Sequence, residues 1–293
     1  MAGGLKEVRN RIASVGSTRQ ITQAMKVVSA AKLRRAQDAI TQMRPYAERL
    51  QEILVNVSGS MEGSENPYAI EREVKKVLLV AITSNRGLCG PFNNNVIKLA
   101  KGRIDEHTEA RVHVLCLGKK AGDAFRKTDH FTTLTLGDHP HEIFDRLDFA
   151  NTSDVAQVVM DAFTSGAYDR VELLYNRFVN AAVQDIRCEQ MLPIEQVATE
   201  GGAAPKEVDY IFEPSQEEIA ANIVPNTLKI QLYKALLDSQ ASEHGARMTA
   251  MHKATENAGE LLRDLKLSYN KARQAAITAE ILEIVGGAEA LEG

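Results

Sequence analysis

Between Met248 and Ala279 the apolar and small residues fall at Met248, Met251, Thr255, Ala258, Leu262, Leu265, Tyr269, Ala272, Ala276 and Ala279. Steps of three and four alternate without a break, which is the spacing of a coiled-coil seam. Such a seam needs a second strand. Near the start of the chain Ala36, Ile40, Met43, Ala47, Leu50, Leu54 and Val57 repeat in the same way. The pattern predicts that the two ends of the chain pair with each other and that the residues between them form a separate body. Small residues at many seam positions let the two helices approach closely.

A first helix is expected from about Leu5 into the high fifties. Leu5, Val8, Ile12 and Val15 open its seam, which breaks over Gly16-Ser17-Thr18-Arg19 and resumes through Ile21, Met25 and Val28. Gly16 inside a helix costs about 1 kcal/mol relative to Ala. Pro45 predicts a kink there and no termination, and the Gly59 to Ser64 cluster reads as a loop. From residue 74 the period becomes strand-like. Val74 to Thr83 is apolar on both faces, as a buried strand is. The turn SNRGLCGPFN follows, with Pro91 suited to the first turn of a helix. A strand over 111–118, a helix over 119–128 and a strand over 130–137 come next. A helix capped by Ser153, a strand over 170–180 and strand-like pieces at 182–194 and 208–212 complete the centre. Strands alternating with helices imply a mainly parallel sheet covered on both faces. Residues 198–206 read as an exposed loop.

The last helix is expected from near Ser215, with Glu217 and Glu218 in its first turn. It kinks at Pro225 and ends near Val285, before Gly286-Gly287. Some 70 residues span on the order of 100 Å, longer than a compact domain of this size is wide. Part of an apolar-seamed helix must then be covered by another protein. The predicted division is 1–58 for the first coiled-coil helix, 59–214 for the α/β body, 215–287 for the second coiled-coil helix and 288–293 for a tail. The fold class is α/β plus a long antiparallel coiled coil made by the terminal helices.

Composition narrows the class. The chain has 293 residues, 25% of them charged and 44% hydrophobic, as in an ordinary soluble protein. No apolar run reaches the roughly 18 residues of a membrane span. The first segment carries charges where a signal peptide needs an apolar core, and it reads as mature helix. Cys89, Cys116 and Cys188 have no paired spacing, which points to free thiols in a reducing compartment. Charge is unevenly spread: the first 50 residues hold ten Lys and Arg against Glu7, Asp38 and Glu48, on a chain whose net charge is −4. A basic helix on an acidic protein implies an acidic partner or a solvated face. Tyr46 is the only aromatic residue in that segment, and no nucleic-acid reading motif is present.

Signals for chemistry fall short. SNRGLCGPFN sits where a phosphate loop would, but it has neither dinucleotide nor P-loop spacing. Cys89 at a helix start has no base visibly placed beside it and reads as structural. His130 and His139-Pro140-His141 lack the partners of a metal site. Glu280 and Glu283 lie on successive turns without a base or pocket. The sequence therefore predicts no catalytic, cofactor or metal site.

One resemblance spans nearly the whole chain. Ile277-Thr278-Ala279-Glu280-Ile281-Leu282-Glu283-Ile284-Val285-Gly286-Gly287-Ala288 resembles the C-terminal signature of the gamma subunit of F-type ATP synthase, bacterial type. ITQAMKVVSAAKLRRAQ (21–37) is similar to that family's first characteristic helix. SNRGLCG (84–90), SEHGARMTAMHKATENA (242–258) and LSYNKARQA (267–275) also fit, in the family's order. The resemblance implies a coiled-coil shaft on a Rossmann-like α/β domain and a non-catalytic rotor. The shaft would sit inside the alpha/beta hexamer, with the foot on the membrane c-ring and the epsilon subunit. Such a rotor couples ion flow to ATP synthesis or hydrolysis, peripheral to the membrane on its cytoplasmic face.

By the same resemblance Met25 and Lys26 match the segment facing an acidic lever loop of beta. Arg273, Gln274 and Thr278 match a contact to a loop of the catalytic subunit, with Ile277 and Glu280 beside them, and Arg247 lies nearer the foot. Tyr210, Phe212 and Glu213 correspond to the region near the ring. Ile277, Ile281, Leu282, Ile284 and Val285 place apolar groups all round the helix, as on an enclosed helix. The paired-cysteine insertion of chloroplast members has no counterpart here. Two other readings compete: a coiled-coil adaptor whose basic helix binds nucleic acid, distinguished by salt-dependent DNA binding, and a Rossmann-type enzyme with helical extensions, distinguished by nucleotide affinity.

Overall fold

The computed structural model describes residues 2–58, 66–136, 140–194 and 216–292. Its elements in order are α1 (Ala2–Ser58), β1 (Lys76–Ile82), α2 (Phe92–Glu106), β2 (Arg111–Leu117), α3 (Lys119–Phe125), β3 (Phe131–Thr132), a 3-10 turn (Pro140–Phe144), α4 (Phe149–Thr164), β4 (Arg170–Phe178), β5 (Gln184–Leu192) and α5 (Gln216–Glu292). Contacts divide the chain into two bodies. One is Met1–Ser29 with Arg247–Gly293; the other is Ala30–Ala246. Both terminal helices are shared between them.

The second body is built on a sheet of strand order β3-β2-β1-β4-β5. β1, β2, β3 and β4 run parallel, and β5 pairs antiparallel with β4. The antiparallel edge follows from the short connection after Phe178, since a parallel return would need a crossover of a dozen residues or more. Asn180 closes this turn by accepting from the backbone N–H groups of Ala182 (2.9 Å) and Val183 (2.8 Å) through Oδ1.

Two-sided burial explains the unbroken apolar run of β1. Leu78, Val80 and Ile82 enter one core with Val155, Val159, Met160 and Phe163 of α4 and Leu228, Leu232 and Leu236 of α5. Val77, Leu79 and Ala81 enter the opposite core with Val96 and Ala100 of α2 and Ala121 and Phe125 of α3. Gly118, at the end of β2, has φ +131°, and a Cβ there would stand 2.1 Å from the Thr83 carbonyl oxygen. Only glycine lets the ends of β1 and β2 come this close.

The bounds of three elements differ notably from the sequence pattern. β3 is two residues long, not eight, because Leu134 turns to φ 50° and its N–H is taken by Thr132 Oγ1. α4 starts at Phe149, capped by Asp148, whose Oδ1 accepts from Asn151 N at 2.9 Å. Ser153, expected at that cap, lies inside the helix and donates to the Phe149 carbonyl oxygen. α5 passes through Gly286-Gly287 to Glu292, whereas the glycines were expected to end it. The expected loop at 198–206, the strand-like piece at 208–212 and the loop at 59–64 lie outside the described residues.

A charged pair ties α2 to β4, inside the sheet. Glu172 of β4 is 2% exposed, and Arg103 of α2 donates to it through Nε (2.9 Å) and Nη2 (2.5 Å). His107 Nε2 lies 3.4 Å away, and the Cys188 thiol donates to Glu172 Oε2 at 3.4 Å. Burial works against ionising Glu172, but the hydrogen bonds and charge of Arg103 outweigh it, and the carboxyl is held below its ordinary value.

A group with a depressed native pKa stabilises the fold at neutral pH, and the contribution fades as pH falls through that native value. Glu172→Gln removes the buried partner of Arg103, which stays partly exposed and keeps Glu106, so it should cost about 1–3 kcal/mol at pH 7. Urea unfolding followed over a pH series will show wild type and variant converging well below the ordinary glutamate value of about 4.3. A gap that is constant with pH would contradict the assignment.

Candidate functional site

The first body consists of two antiparallel helical arms, and three crossings set their alignment. Thr255 Oγ1 donates to Thr22 Oγ1 at 2.8 Å. One turn away, Lys26 Nζ donates to His252 Nδ1 at 3.2 Å. On the other side a Cβ on Gly259 would stand 3.8 Å from Arg19 Nε, so the arginine crosses where α5 carries no side chain. The stretch 248–279 is therefore paired with the first 29 residues. The seam through Ala36 and Ile40, expected to be its partner, belongs to the other body.

The inward positions of α1 also differ from the sequence pattern. Ile21 is 60% exposed and Val28 56%, with Val27 beside them also exposed, while Thr22 and Ser29 are buried. Leu5, Val8, Ile12 and Val15 are half-buried as expected, and Leu33, Ala36, Ile40 and Leu50 are buried. Past the exposed Arg19, the alternation of three and four continues from Thr22 through half-buried Lys26 and Ser29 to Leu33, using polar residues where the apolar rule pointed to Ile21, Met25 and Val28. Their spacing was the signal available in the sequence.

On α5 the inward set holds better. Met251 and Ala258 are buried, and Thr255, Leu262, Leu265, Tyr269, Ala276 and Ala279 are partly covered, whereas Ala272 is exposed. Arg273, Gln274, Ile277, Thr278 and Glu280 face away from the seam and are exposed. Helical spacing puts Arg273, Ile277 and Glu280 on one stripe, and Gln274 and Thr278 on the next. Further along, Ile281, Leu282, Ile284 and Val285 are each more than half exposed. So much apolar surface, on every side of one arm, marks a partner surface.

Met25 and Lys26 are half-buried in the seam region, with the Lys26 ammonium on His252. They lie opposite His252, some 20 residues from Arg273, or about 30 Å along a helix. The structure thus holds two separate groups of the expected contact residues. Arg247 is 8% exposed. Arg263 and Lys266 join Arg19 around a shallow cleft on the same body, a basic patch that the sequence reading did not single out. Tyr210, Phe212 and Glu213 lie outside the described residues.

The place where this sheet would bind a nucleotide is filled by the chain itself. Strand order reverses between β1 and β4, and ligands of such folds bind beyond the strand ends at that point. Here Cys89, Phe92 and Ala246 pack together. Asn176 Nδ2 donates to the Phe92 carbonyl oxygen at 3.3 Å, and Ser242 Oγ donates to the Asn176 carbonyl oxygen at 3.0 Å. α5 thus closes the crevice. Cys89 is 2% exposed, with Asn93 Nδ2 at 3.1 Å from its sulfur. Cys188 is exposed as a residue, but burial of its sulfur and the Glu172 carboxylate push the thiol up to about 12, far from a nucleophile's range. Among the described residues no three His, Cys, Asp or Glu side chains are grouped to hold a metal, and no helix is long and apolar enough to cross a membrane.

The ATP synthase family model matches residues 4–291. The chain is 59% identical over 290 residues to the ATP synthase gamma chain of Flavobacterium johnsoniae, covering 99% of both chains. The chain belongs to the ATP synthase gamma chain family. It is also 55% identical to the gamma chain of Cytophaga hutchinsonii, over 98% of each. Its fold is similar to a chain of the Euglena gracilis mitochondrial ATP synthase, at TM-score 0.65 and 20% identity, over 99% of this chain and 95% of that one. A central stalk chain of the Tetrahymena thermophila mitochondrial enzyme matches at TM-score 0.56 and 25% identity, over 80% of this chain and 99% of that one. The fold class of a gamma chain, paired terminal helices with a mainly parallel α/β body, is the one expected from the periodicities.

The outward position of Ile21 has a direct consequence for the isolated gamma chain. Ile21→Ser should change its unfolding free energy by less than about 0.5 kcal/mol. Leu33→Ala, at a buried seam position, should cost about 2–5 kcal/mol. Urea melts of the two variants check this, and an equal loss in both would restore Ile21 to the seam.

Proposed function

We propose that the chain is the central-stalk rotor subunit of an F-type ATP synthase, a non-catalytic part that transmits torque between an ion-driven membrane ring and the catalytic alpha/beta hexamer. The full-length match to gamma chains carries this reading. The paired arms and the closed crevice agree with it. Its partners are the alpha and beta subunits around the arms, and the c-ring and epsilon subunit at the α/β body. The division at residues 58, 214 and 287 into arm, body, arm and tail belongs to this reading, as do residues 210–213 as the ring-side contact.

The chain works as part of a membrane complex and is peripheral to the bilayer, at the cytoplasmic face of a bacterial inner membrane. Torque transfer needs contacts that press without locking. The apolar stretch from Ile277 to Val285 suits a sleeve of apolar side chains, where contact is non-directional. Arg273, Gln274, Thr278 and Glu280 supply directional contacts to a catalytic-subunit loop; Arg247, expected to supply one further down, is 8% exposed and turned into the chain. Exposed Ile21 and Val28, with Met25 and Lys26 and the basic patch at Arg19, Arg263 and Lys266, suit an acidic segment with apolar residues of its own. Charge complementarity there steers the meeting and sets its orientation.

Arg273→Ala tests the reading in the assembled complex. The side chain is exposed in the free chain, so the variant should fold as the wild type does. ATP-driven ion pumping by reconstituted vesicles should fall roughly tenfold or more, the usual effect of losing an arginine anchor. Pumping at the wild-type rate would remove Arg273 from the interface.

A further inference from the structure

The polar stretch of the coil raises a physical question. At Thr22, Lys26 and Ser29 the α1 seam gives up apolar burial over three successive positions, with exposed Arg19 at the next step, while Ile21, Val27 and Val28 point outward. Polar residues in a seam lower stability and fix alignment. Here they do so in matched pairs. Arg19 crosses at Gly259, Thr22 meets Thr255, and Lys26 meets His252, in strict antiparallel order. The Thr255 proton can serve Thr22 or its own Met251 carbonyl, and with it on Thr22 the pair is anchored on α1. Thr22 Oγ1 donates to the Arg19 carbonyl oxygen at 3.0 Å, and Thr255 Oγ1 lies 2.7 Å from the Met251 carbonyl oxygen.

Torque on two helices wound together drives them to slide lengthwise along their seam. Apolar contacts between small side chains resist separation more than sliding, because they have no direction and little interlock. A hydrogen bond resists sliding, because it weakens steeply with distance and angle. A slip of one helical turn, about 5.4 Å, would stretch a 2.8 Å hydroxyl pair to about 6 Å and break it. We propose that Thr22 and Thr255, seated between the Arg19–Gly259 and Lys26–His252 crossings, form a tie that stops the two arms sliding past one another under load. They are positioning residues for energy coupling. This rests on the rotor reading.

The test uses the complete complex in inverted membrane vesicles. Thr22→Val with Thr255→Val keeps the branched shape and removes both hydroxyls. The isolated double variant should melt at or above the wild-type temperature, since two valines suit an apolar seam. The complex should assemble and hydrolyse ATP, while ions pumped per ATP hydrolysed fall roughly three- to ten-fold, the weight of one net hydrogen bond. Thr22→Cys with Thr255→Cys should show the same loss when reduced and recover when oxidised to a disulfide. Wild type taken through the same oxidation controls for Cys89, Cys116 and Cys188.

Wild-type coupling in the double valine variant would overturn the tie. So would a loss of coupling that accompanies a lower melting temperature and is not repaired by the disulfide. If the wild-type chain itself fails to restore pumping to a complex lacking its gamma subunit, the rotor reading falls, and the tie falls with it.

Discussion

Everything distinctive about this chain depends on its first 29 residues and its last 47 meeting along one antiparallel seam. Helices of this length owe little of their stability to propensity and most of it to what covers their apolar side. Small residues such as Ala258 bring the arms together, and the Thr22–Thr255 pair sets where along their length they meet. Once that alignment is set, the outward residues are set as well. Arg273, Gln274 and Thr278 face out because Ala276 and Ala279 face in, and Ile21 faces out because Thr22 faces in.

The same geometry separates this α/β body from the enzymes it resembles in outline. Its sheet has the strand reversal at which nucleotide folds open a crevice. Ser242 and Ala246 of α5 occupy that place, joined to Asn176 and packed on Phe92 and Cys89. A helix that is half rotor arm thus also plugs the site. The thiols follow suit. Cys89 and Cys116 are buried, and Cys188 is held protonated beside Glu172.

Much of this was legible in the residues. The two-faced apolar run of β1, the 3-4 alternation of α5 and the turn residues near Pro91 each carry a period or a backbone preference that is local. Such features need no knowledge of what lies across the seam. The outward stripe around Arg273 follows from the same 3-4 alternation, and the structure exposes it.

Periodicity settled that there are two long amphipathic helices and a parallel sheet between them. It could not settle which of two adjacent faces of α1 turns inward over residues 19–29, because the apolar set at Ile21, Met25 and Val28 and the polar set at Thr22, Lys26 and Ser29 differ by a single residue of rotation. Only the partner helix decided. It offers a hydroxyl, an imidazole and a glycine gap at the matching heights, and those accept polar side chains better than valines. The Glu172–Arg103 pair and the shortness of β3 were tertiary in the same sense: each is fixed by groups far apart in sequence, which no window along the chain can bring together.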